Sequence, residues 1–484
     1  MSENRDIPVS PQSFSVKRAQ VEFHNFASLG EPERAMRIYR EENQRRGAII
    51  RNHLNFIGSM TPFLEIGANA GHTSYMLCNE FGAEGFALDI SADALRHGIA
   101  LQEAWGMTKA PVRIAGDGAH LPFQDGSLQF VMTHQTLSQF MDLDAILAEV
   151  TRVLAPGGVF LFSEEPMRRL LSLRLYRAPY EDTMKPWERR LHKSGLLGYV
   201  VQDVIGAHQE ESFGIRQNHQ LYLNDWNALV KRHFAEHEYD LFIPERGWGE
   251  RWMKSLAVRL DPYGSTWRAA RLLGGTLAAV CRKAGSPGTP RPMARFEELL
   301  RCPDCDSDLR LRADKSLECA QCGYSAAKED EVYNLLPSSE RRELYPGDRD
   351  DAIDFSLPGH ERRLMEGWYE LEGSYGNRYR WIGSRATALL VRTSPGPLQL
   401  RMRGFAQESI FAAGRPSIEA RVNGTRVRIW TLDRTGLFIL EAEVPDASKY
   451  ELEILASPEW SAPGDCRKLT INLSMIRLVP VEKK

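Results

Sequence analysis

The chain has 484 residues, 43% of them hydrophobic, and 61 Lys and Arg against 64 Asp and Glu, a formal net charge of -3. That length exceeds one ordinary core and points to about three domains, while the near-balance of charge excludes a global basic field for nucleic acid or an anionic membrane. The N-terminus lacks an apolar h-region, so no secretory signal is expected, and no run approaches the roughly 18 apolar residues of a spanning helix.

Residues 17–57 carry helical signals. Arg34, Arg37, Glu41 and Arg45 share a polar face, and Met36, Ile38, Ile49, Ile50 and Leu54 supply apolar contacts. The apolar run from Phe63 to Ile66 then breaks into Gly67-Ala68-Asn69-Ala70-Gly71 and restarts as a helix. Glycines there let the backbone approach a ligand, and the helix start offers free N–H groups and a positive dipole end. A second buried strand ends in Asp89, about 20 residues beyond the glycine loop, where an acid grips a ribose diol. From Thr61 to Ser163, strand-like runs alternate with helix-like stretches, which predicts a parallel sheet covered on both faces, with ligands at the carboxyl ends of its strands.

Three further landmarks follow in order: Ala115-Gly116-Asp117-Gly118-Ala119-His120-Leu121-Pro122-Phe123, Leu128 to His134, and Ile146 to Phe162 with its Pro156-Gly157-Gly158 turn. In this order the set resembles the class I S-adenosylmethionine-dependent methyltransferases, with Asn69 standing where the family often has its middle glycine. The resemblance implies an α/β Rossmann-like domain over residues 1–285, an N-terminal helical cap on the cofactor site, and cofactor contacts from Glu65, Gly67, Asn69, Gly71, Asp89, Ile90, Asp117, Gly118 and His134. Methyl transfer is an in-line displacement that needs a positioned acceptor and a proton acceptor. His134, just past the fourth strand, and Glu164, just past the fifth, are the catalytic candidates. Ser212 to Gln220 and Trp226 are candidates to line an acceptor pocket.

The stretch from Gly247 to Gly285 has seven Lys or Arg against Glu250 and Asp261, interleaved with Trp248, Trp252 and Trp267. It is weighed as a membrane-surface segment, but Gly274 to Val280 reads more simply as the last strand of the sheet, and membrane contact is not expected. The Pro- and Gly-rich residues 286–295 form a linker that should let the first domain fold independently of the C-terminal half of the chain.

Residues 296–337 hold Cys302-Pro303-Asp304-Cys305 and Cys319-Ala320-Gln321-Cys322, two C-x-x-C pairs thirteen residues apart. Such pairs can place four thiolates around one structural zinc, and a module this small gains a staple it otherwise lacks. Four of the seven cysteines used this way suit a reducing, cytoplasmic setting. Ten Asp or Glu against five Lys or Arg in this module disfavour phosphate contact. With the trailing Val332 to Pro337, it is similar to zinc-ribbon modules that accompany bacterial and RNA-modifying methyltransferases.

Residues 338–362 read as a second linker. Beyond them, β-prone runs at 386–391, 397–402, 417–422, 425–430, 437–444, 450–455 and 469–478, with Asn423-Gly424 as a two-residue hairpin signal, predict an antiparallel sandwich or jelly roll over 363–484. Gly367-Trp368-Tyr369-Glu370-Leu371-Glu372, Arg380-Trp381 and Asp465-Cys466-Arg467-Lys468-Leu469 resemble β-sandwich modules of bacterial surface-polysaccharide enzymes, although Thr470 replaces an expected glycine. Trp368 and Trp381 are candidate sugar platforms.

The fold class is thus multidomain: a Rossmann-like methyltransferase, a small zinc ribbon and an all-β sandwich. The expected function is methyl transfer from S-adenosylmethionine to a sugar or glycan-linked acceptor, in contact with glycan-synthesis enzymes. The rivals are an RNA or protein methyltransferase docked through its ribbon, and a non-catalytic scaffold of a glycan-synthesis complex.

Overall fold

The structure is a computed structural model that describes residues 32–140, 142–168, 221–242, 257–273, 275–345, 349–355, 359–373, 378–406, 408–433, 436–461 and 464–481. Its first large unit is a twisted sheet whose central strands are buried almost throughout, as in a sheet covered on both faces. The strands are β1 (Phe63–Ile66), β2 (Gly85–Asp89), β3 (Val112–Ala115), β4 (Leu128–His134) and β5 (Leu154–Arg168). They pair in parallel in the order β3-β2-β1-β4-β5. The two-residue β6 (Leu221–Tyr222) joins the end of β5. Three antiparallel strands extend this side: β7 (Glu236–Phe242), β8 (Ala257–Leu260) and β9 (Gly275–Arg282), with β9 inserted between β5 and β7.

Helices cover both faces. They are α1 (Pro32–Asn52), α2 (His72–Glu80), α3 (Ala92–Ala104), α4 (Leu143–Val153), α5 (Leu223–His233) and α6 (Ser265–Leu273). Ile49 and Ile50 of α1 are buried against the sheet, whereas Ile38, read as an apolar contact, is 39% exposed. Two of the chain's α-helix starts are set by side chains: Ser91 Oγ accepts from Ala94 N at α3, and Asp142 accepts from Asp144 N and Ala145 N at α4. Trp226 is buried and stacks on Phe162 with ring centroids 5.3 Å apart, so it fills the core and does not line an acceptor pocket. Residues 212–220 lie outside the described residues. Trp267 is likewise buried, which removes it from any membrane surface, and Trp248 and Trp252 lie outside the described residues.

The cysteine module does not stand apart. Its three-stranded sheet comprises β10 (Leu309–Leu311), β11 (Leu317–Cys319) and β12 (Ser325–Ala326). The chain then makes the hairpin of β13 (Lys328–Glu329) and β14 (Val332–Asn334), and β14 adds in parallel to β3. Phe123 bridges to Leu300, Arg301 N donates to Pro122 O at 3.1 Å, and Gln124 Nε2 reaches Leu300 O and Asp308. Leu299, Leu300, Cys302, Leu309 and Leu317 are buried in the same hydrophobic cluster as Leu88, Ile114 and Phe123. The expectation that a Pro-rich linker isolates the first unit is therefore corrected: residues 286–292 are irregular and Met293–Leu299 forms a 3-10 helix, but the segments on either side share one core.

Residues 338–362, read as a linker, contain helix α7 (Ser338–Leu344) and strand β15 (Ala352–Asp354), which pairs with the last strand of the C-terminal unit. That unit has two antiparallel sheets. One contains β15, β16 (Trp368–Glu372), β17 (Tyr379–Ile382), β19 (Leu398–Ala406), β22 (Gly436–Glu443) and β24 (Asn472–Pro480). The other contains β18 (Arg385–Val391), β20 (Ser417–Val422), β21 (Thr425–Thr431) and β23 (Lys449–Ser457). Alternate buried positions along β20 and β23 face a common core with β19 and β24. Asn423 and Gly424 take φ of 50° and 77°, the mirror-image turn that matches strand twist. Trp381 is buried edge-on to Trp460, and Trp368 donates from Nε1 to Thr387 O, so both rings are committed to the fold and neither is a free platform for a sugar.

Candidate functional site

At the carboxyl ends of β1, β2 and β3, a cleft is lined by Ile66, Gly67, Leu88, Asp89, Ile90, Gly116, Asp117, Gly118, Thr136 and Phe140. Backbone shape makes it possible. Gly67 has φ +71°, and a Cβ there would fall 2.4 Å from Thr136 Cγ2. At Gly118 an added Cβ would sit 2.7 Å from Phe140 Cζ and 2.9 Å from Ile66 Cγ2. Asn69 adopts φ 51°, a left-handed conformation that asparagine tolerates. The loop thus makes its turn without the family's middle glycine. Its N–H donates to Asp89 Oδ2 at 2.8 Å, and Ser91 N donates to Oδ1 at 2.8 Å. Each Asp89 oxygen is thereby oriented with lone-pair capacity left over.

Five of the expected cofactor residues line the cleft: Gly67, Asp89, Ile90, Asp117 and Gly118. The others stand behind it. Glu65 is buried and accepts from Ser74 N at 2.9 Å and Ser74 Oγ at 2.6 Å, which ties β1 to the start of α2. Burial raises its carboxyl, against the pull of His72, Ser74 and Arg46. Gly71, with φ +74°, is the residue from which α2 starts.

His134 and Glu164 belong to a buried polar cluster closed by α1. His134 Nδ1 meets Ser163 Oγ at 2.7 Å, while its Nε2 is buried with no hydrogen-bond partner among the described residues. Burial, then the charges of Arg46 and His72, hold this imidazole well below its ordinary value, so it is neutral near pH 7. Glu164 is not free: both oxygens are taken by Arg45 and Arg46, with Arg46 Nη2 at 2.8 Å. Arg46 also contacts Thr73 Oγ1 at 2.9 Å, His72 Nε2 at 2.7 Å and Glu42 at 3.4 Å. Burial opposes the charge on Glu42, but His72, Arg46 and Arg45 outweigh it and lower the carboxyl to about 2. Tyr39 stacks on His72 with centroids 4.3 Å apart.

The neighbouring Glu165 has a different task. It is fully buried and accepts from the backbone N–H groups of Thr136, Leu137 and Ser138 at 2.8, 2.8 and 3.1 Å. This pins the loop after β4, whose Thr136 lies over Gly67. Burial pushes its carboxyl up to about 7, although the three N–H groups pull the other way. Sequence reasoning missed Arg46, Glu42 and His72, and did not foresee which amides Glu165 holds. One signal was present: Arg46 and Glu42 lie on the helical face of Ile49 and Ile50, and a charge on an apolar face needs a partner.

The sequence family described as "Methyltransferase domain" matches residues 64–162. These residues are a methyltransferase domain. A probable S-adenosylmethionine-dependent methyltransferase of Mycolicibacterium smegmatis is 28% identical over 209 residues, covering 41% of this chain and 76% of that protein. Norajmaline N-methyltransferase of Rauvolfia serpentina is 24% identical over 130 residues, 27% of this chain and 42% of its own length. Malonyl-[acyl-carrier protein] O-methyltransferase of Methylococcus capsulatus is 33% identical over 113 residues, 23% and 40% respectively. The chain spans about two fifths of the length of the norajmaline enzyme. Among solved structures, geranyl diphosphate C-methyltransferase of Streptomyces coelicolor A3(2) has 13% identity and a TM-score of 0.36, covering 57% of this chain and all of that one.

The sulfur atoms of Cys302, Cys305, Cys319 and Cys322 lie within 4.8 Å of one another, and two pairs are 3.5 Å apart. A tetrahedral ion with bonds of about 2.3 Å needs sulfurs about 3.8 Å apart, so the donor set fits a metal without rearrangement. Among the described residues, no helix is long and apolar enough to cross a membrane.

Proposed function

We propose that the chain transfers a methyl group from S-adenosylmethionine to a hydroxyl of a sugar or sugar-linked acceptor, in the cytoplasm, and that its four cysteines hold one structural zinc. The observation that carries the cofactor half is the cleft itself. Gly67 and Gly118 line it and let Thr136, Phe140 and Ile66 pack where a Cβ would clash, so the turns close around the cleft, and Asp89 presents two oriented oxygens at its rim. Asp89 would hold the ribose diol, Ile90 the adenine face, and the Gly67 turn the amino-acid end. When bound, the cofactor supplies an electrophilic methyl group on a sulfonium.

A hydroxyl acceptor must lose its proton as the new carbon–oxygen bond forms. His134 is the less engaged candidate: its Nε2 has no hydrogen-bond partner among the described residues, whereas Glu164 is held in ion pairs. Arg46 positions Glu164, and Glu165 fixes the loop whose Thr136 covers Gly67. The glycan class rests on the sandwich resemblance, the acidic cysteine module and the absence of a basic field. Thiolates as metal ligands agree with a reducing compartment.

The test has two stages. Calorimetry with S-adenosylhomocysteine should give a 1:1 complex that Asp89→Ala weakens roughly 10- to 100-fold, the loss of a charged hydrogen bond. Labelled S-adenosylmethionine is then offered with sugar nucleotides, lipid-linked oligosaccharides and total RNA. Methyl incorporation into RNA alone would overturn the glycan assignment.

A further inference from the structure

The two turns that form the floor and one wall of the cleft are each tied to the chain beyond the cysteine pairs. On β3, Asn334 pairs with Ala115, and Leu335 N donates to Ala115 O at 2.8 Å, immediately before the lining residues Gly116, Asp117 and Gly118. On β2, Tyr345 Oη accepts from Ala92 N at 2.8 Å and donates to Ile90 O, so one phenol bridges the turn that follows Asp89 and caps the start of α3. The Tyr345 ring packs with Leu336 and Leu344 against Ile90, and with Val332 against Ala68 and Ala92.

The same segment is anchored at its other end to the cysteine loops. Ser338, at the start of α7, donates from N and Oγ to Asp304, which lies between Cys302 and Cys305, at 2.8 and 2.6 Å. Tyr324, two residues after Cys322, donates to the carbonyls of Asn334 and Leu336 at 3.0 and 2.9 Å. Arg341 donates to Ser325 O and lies over the Tyr324 ring, 4.9 Å from its centroid. A continuous series of contacts therefore runs from the cysteine loops through α7 to the turn carrying Asp89 and Ile90.

We infer that Tyr345 is a positioning residue for the cofactor cleft, and that the cysteine module acts through it to set cofactor affinity. This rests on the assignment of the cleft to S-adenosylmethionine. Tyr345 itself does not line the cleft. Its effect is to fix the Ile90–Ala92 backbone and hence the direction of Asp89, whose Oδ1 bonds Ser91 N within that same turn. The fold thus makes integrity of the cysteine cluster a condition for tight cofactor binding, without any cysteine reaching the cofactor.

The full-length protein is titrated with S-adenosylhomocysteine by calorimetry as wild type, Tyr345→Phe, Tyr450→Phe, Asp89→Ala and Cys319→Ser. Tyr345→Phe keeps the ring and removes both bonds, leaving Ala92 N–H without its partner, so Kd should rise about tenfold. Hydrogen exchange at residues 90–92 should accelerate in the ligand-free variant. Tyr450→Phe removes a buried phenol that bonds Arg392 and Ala447 in the sandwich, and Kd should not move. Cys319→Ser should raise Kd in the same direction as Tyr345→Phe. Wild-type affinity in Tyr345→Phe, with Asp89→Ala weakened, would overturn the inference and leave the cofactor assignment standing. A wild-type protein that does not bind S-adenosylhomocysteine would remove both.

Discussion

Leu300→Ala tests whether the methyltransferase domain and the cysteine module are one folding unit. Leu300 is fully buried, its backbone bridges Phe123, and it belongs to the cluster that contains Leu88 and Ile114. Truncating a buried leucine costs about 2–5 kcal/mol, most where neighbours cannot collapse. Backbone bonds hold both sides here, through Arg301 to Pro122 and Gln124 to Leu299, so a value of about 3–4 kcal/mol is expected. For a unit of this size each kcal/mol lowers the melting temperature by about 2–4 °C, which gives a fall of about 6–16 °C. The assay is calorimetric melting combined with hydrogen exchange on peptides from 112–118, 309–319 and 450–457. If the core is shared, protection at 112–118 and 309–319 falls together while 450–457 in the sandwich is unchanged. Loosening at 309–319 with wild-type protection at 112–118 would refute the shared core.

Three other outcomes are expected. Protein purified without chelator should carry one zinc per chain by elemental analysis, and Cys319→Ser should lose it. Replacing Arg46 with Met removes the buried cation shared by the half-buried Glu42 and Glu164, leaving them His72 and Arg45, and should cost about 1.5–3 kcal/mol in urea denaturation; a change below about 1 kcal/mol would mean that Arg45 alone holds the cluster. Glu165 supplies a pH dependence: its carboxyl is raised from 4.5 to about 7 in the folded protein. The folded chain therefore holds an extra proton between those values. The contribution is fully present below 4.5 and is lost as pH rises through about 7, so the stability difference between wild type and Glu165→Gln should change over that window and be flat outside it.

The methyltransferase landmarks were legible because each is a local necessity. A glycine is required where the backbone turns left-handed against Thr136, and the acid at the end of the second strand stands at the cleft. The same holds for the Asn423-Gly424 hairpin and for the spacing of the four cysteines. Illegible features depend on contacts across long sequence separations. Glu164 looked like a free carboxylate because nothing near it in sequence announces Arg46, 118 residues earlier. Nothing beside Glu165 in sequence announces its partners either, three amides nearly 30 residues upstream.

The linkers show a second kind of limit. Proline and glycine content states how a segment can be shaped, and it says nothing about whether the elements it joins will dock. Residues 286–292 are irregular as their composition requires, but β14 still finds the open edge of β3, because an unpaired strand edge in a largely buried sheet is costly to leave uncovered. That pairing fixes where residues 338–345 must run, and it delivers Tyr345 to the backbone of Ile90 across 255 positions. Charge and turn content in 338–362 concealed a helix that short-range patterning could not support alone: at seven residues α7 is too short to be stable in isolation. Its stability comes from Asp304 at its start and Tyr324 along its side. The feature that most directly links the cysteine cluster to the cofactor cleft is therefore one that tertiary contacts create and that no local pattern encodes.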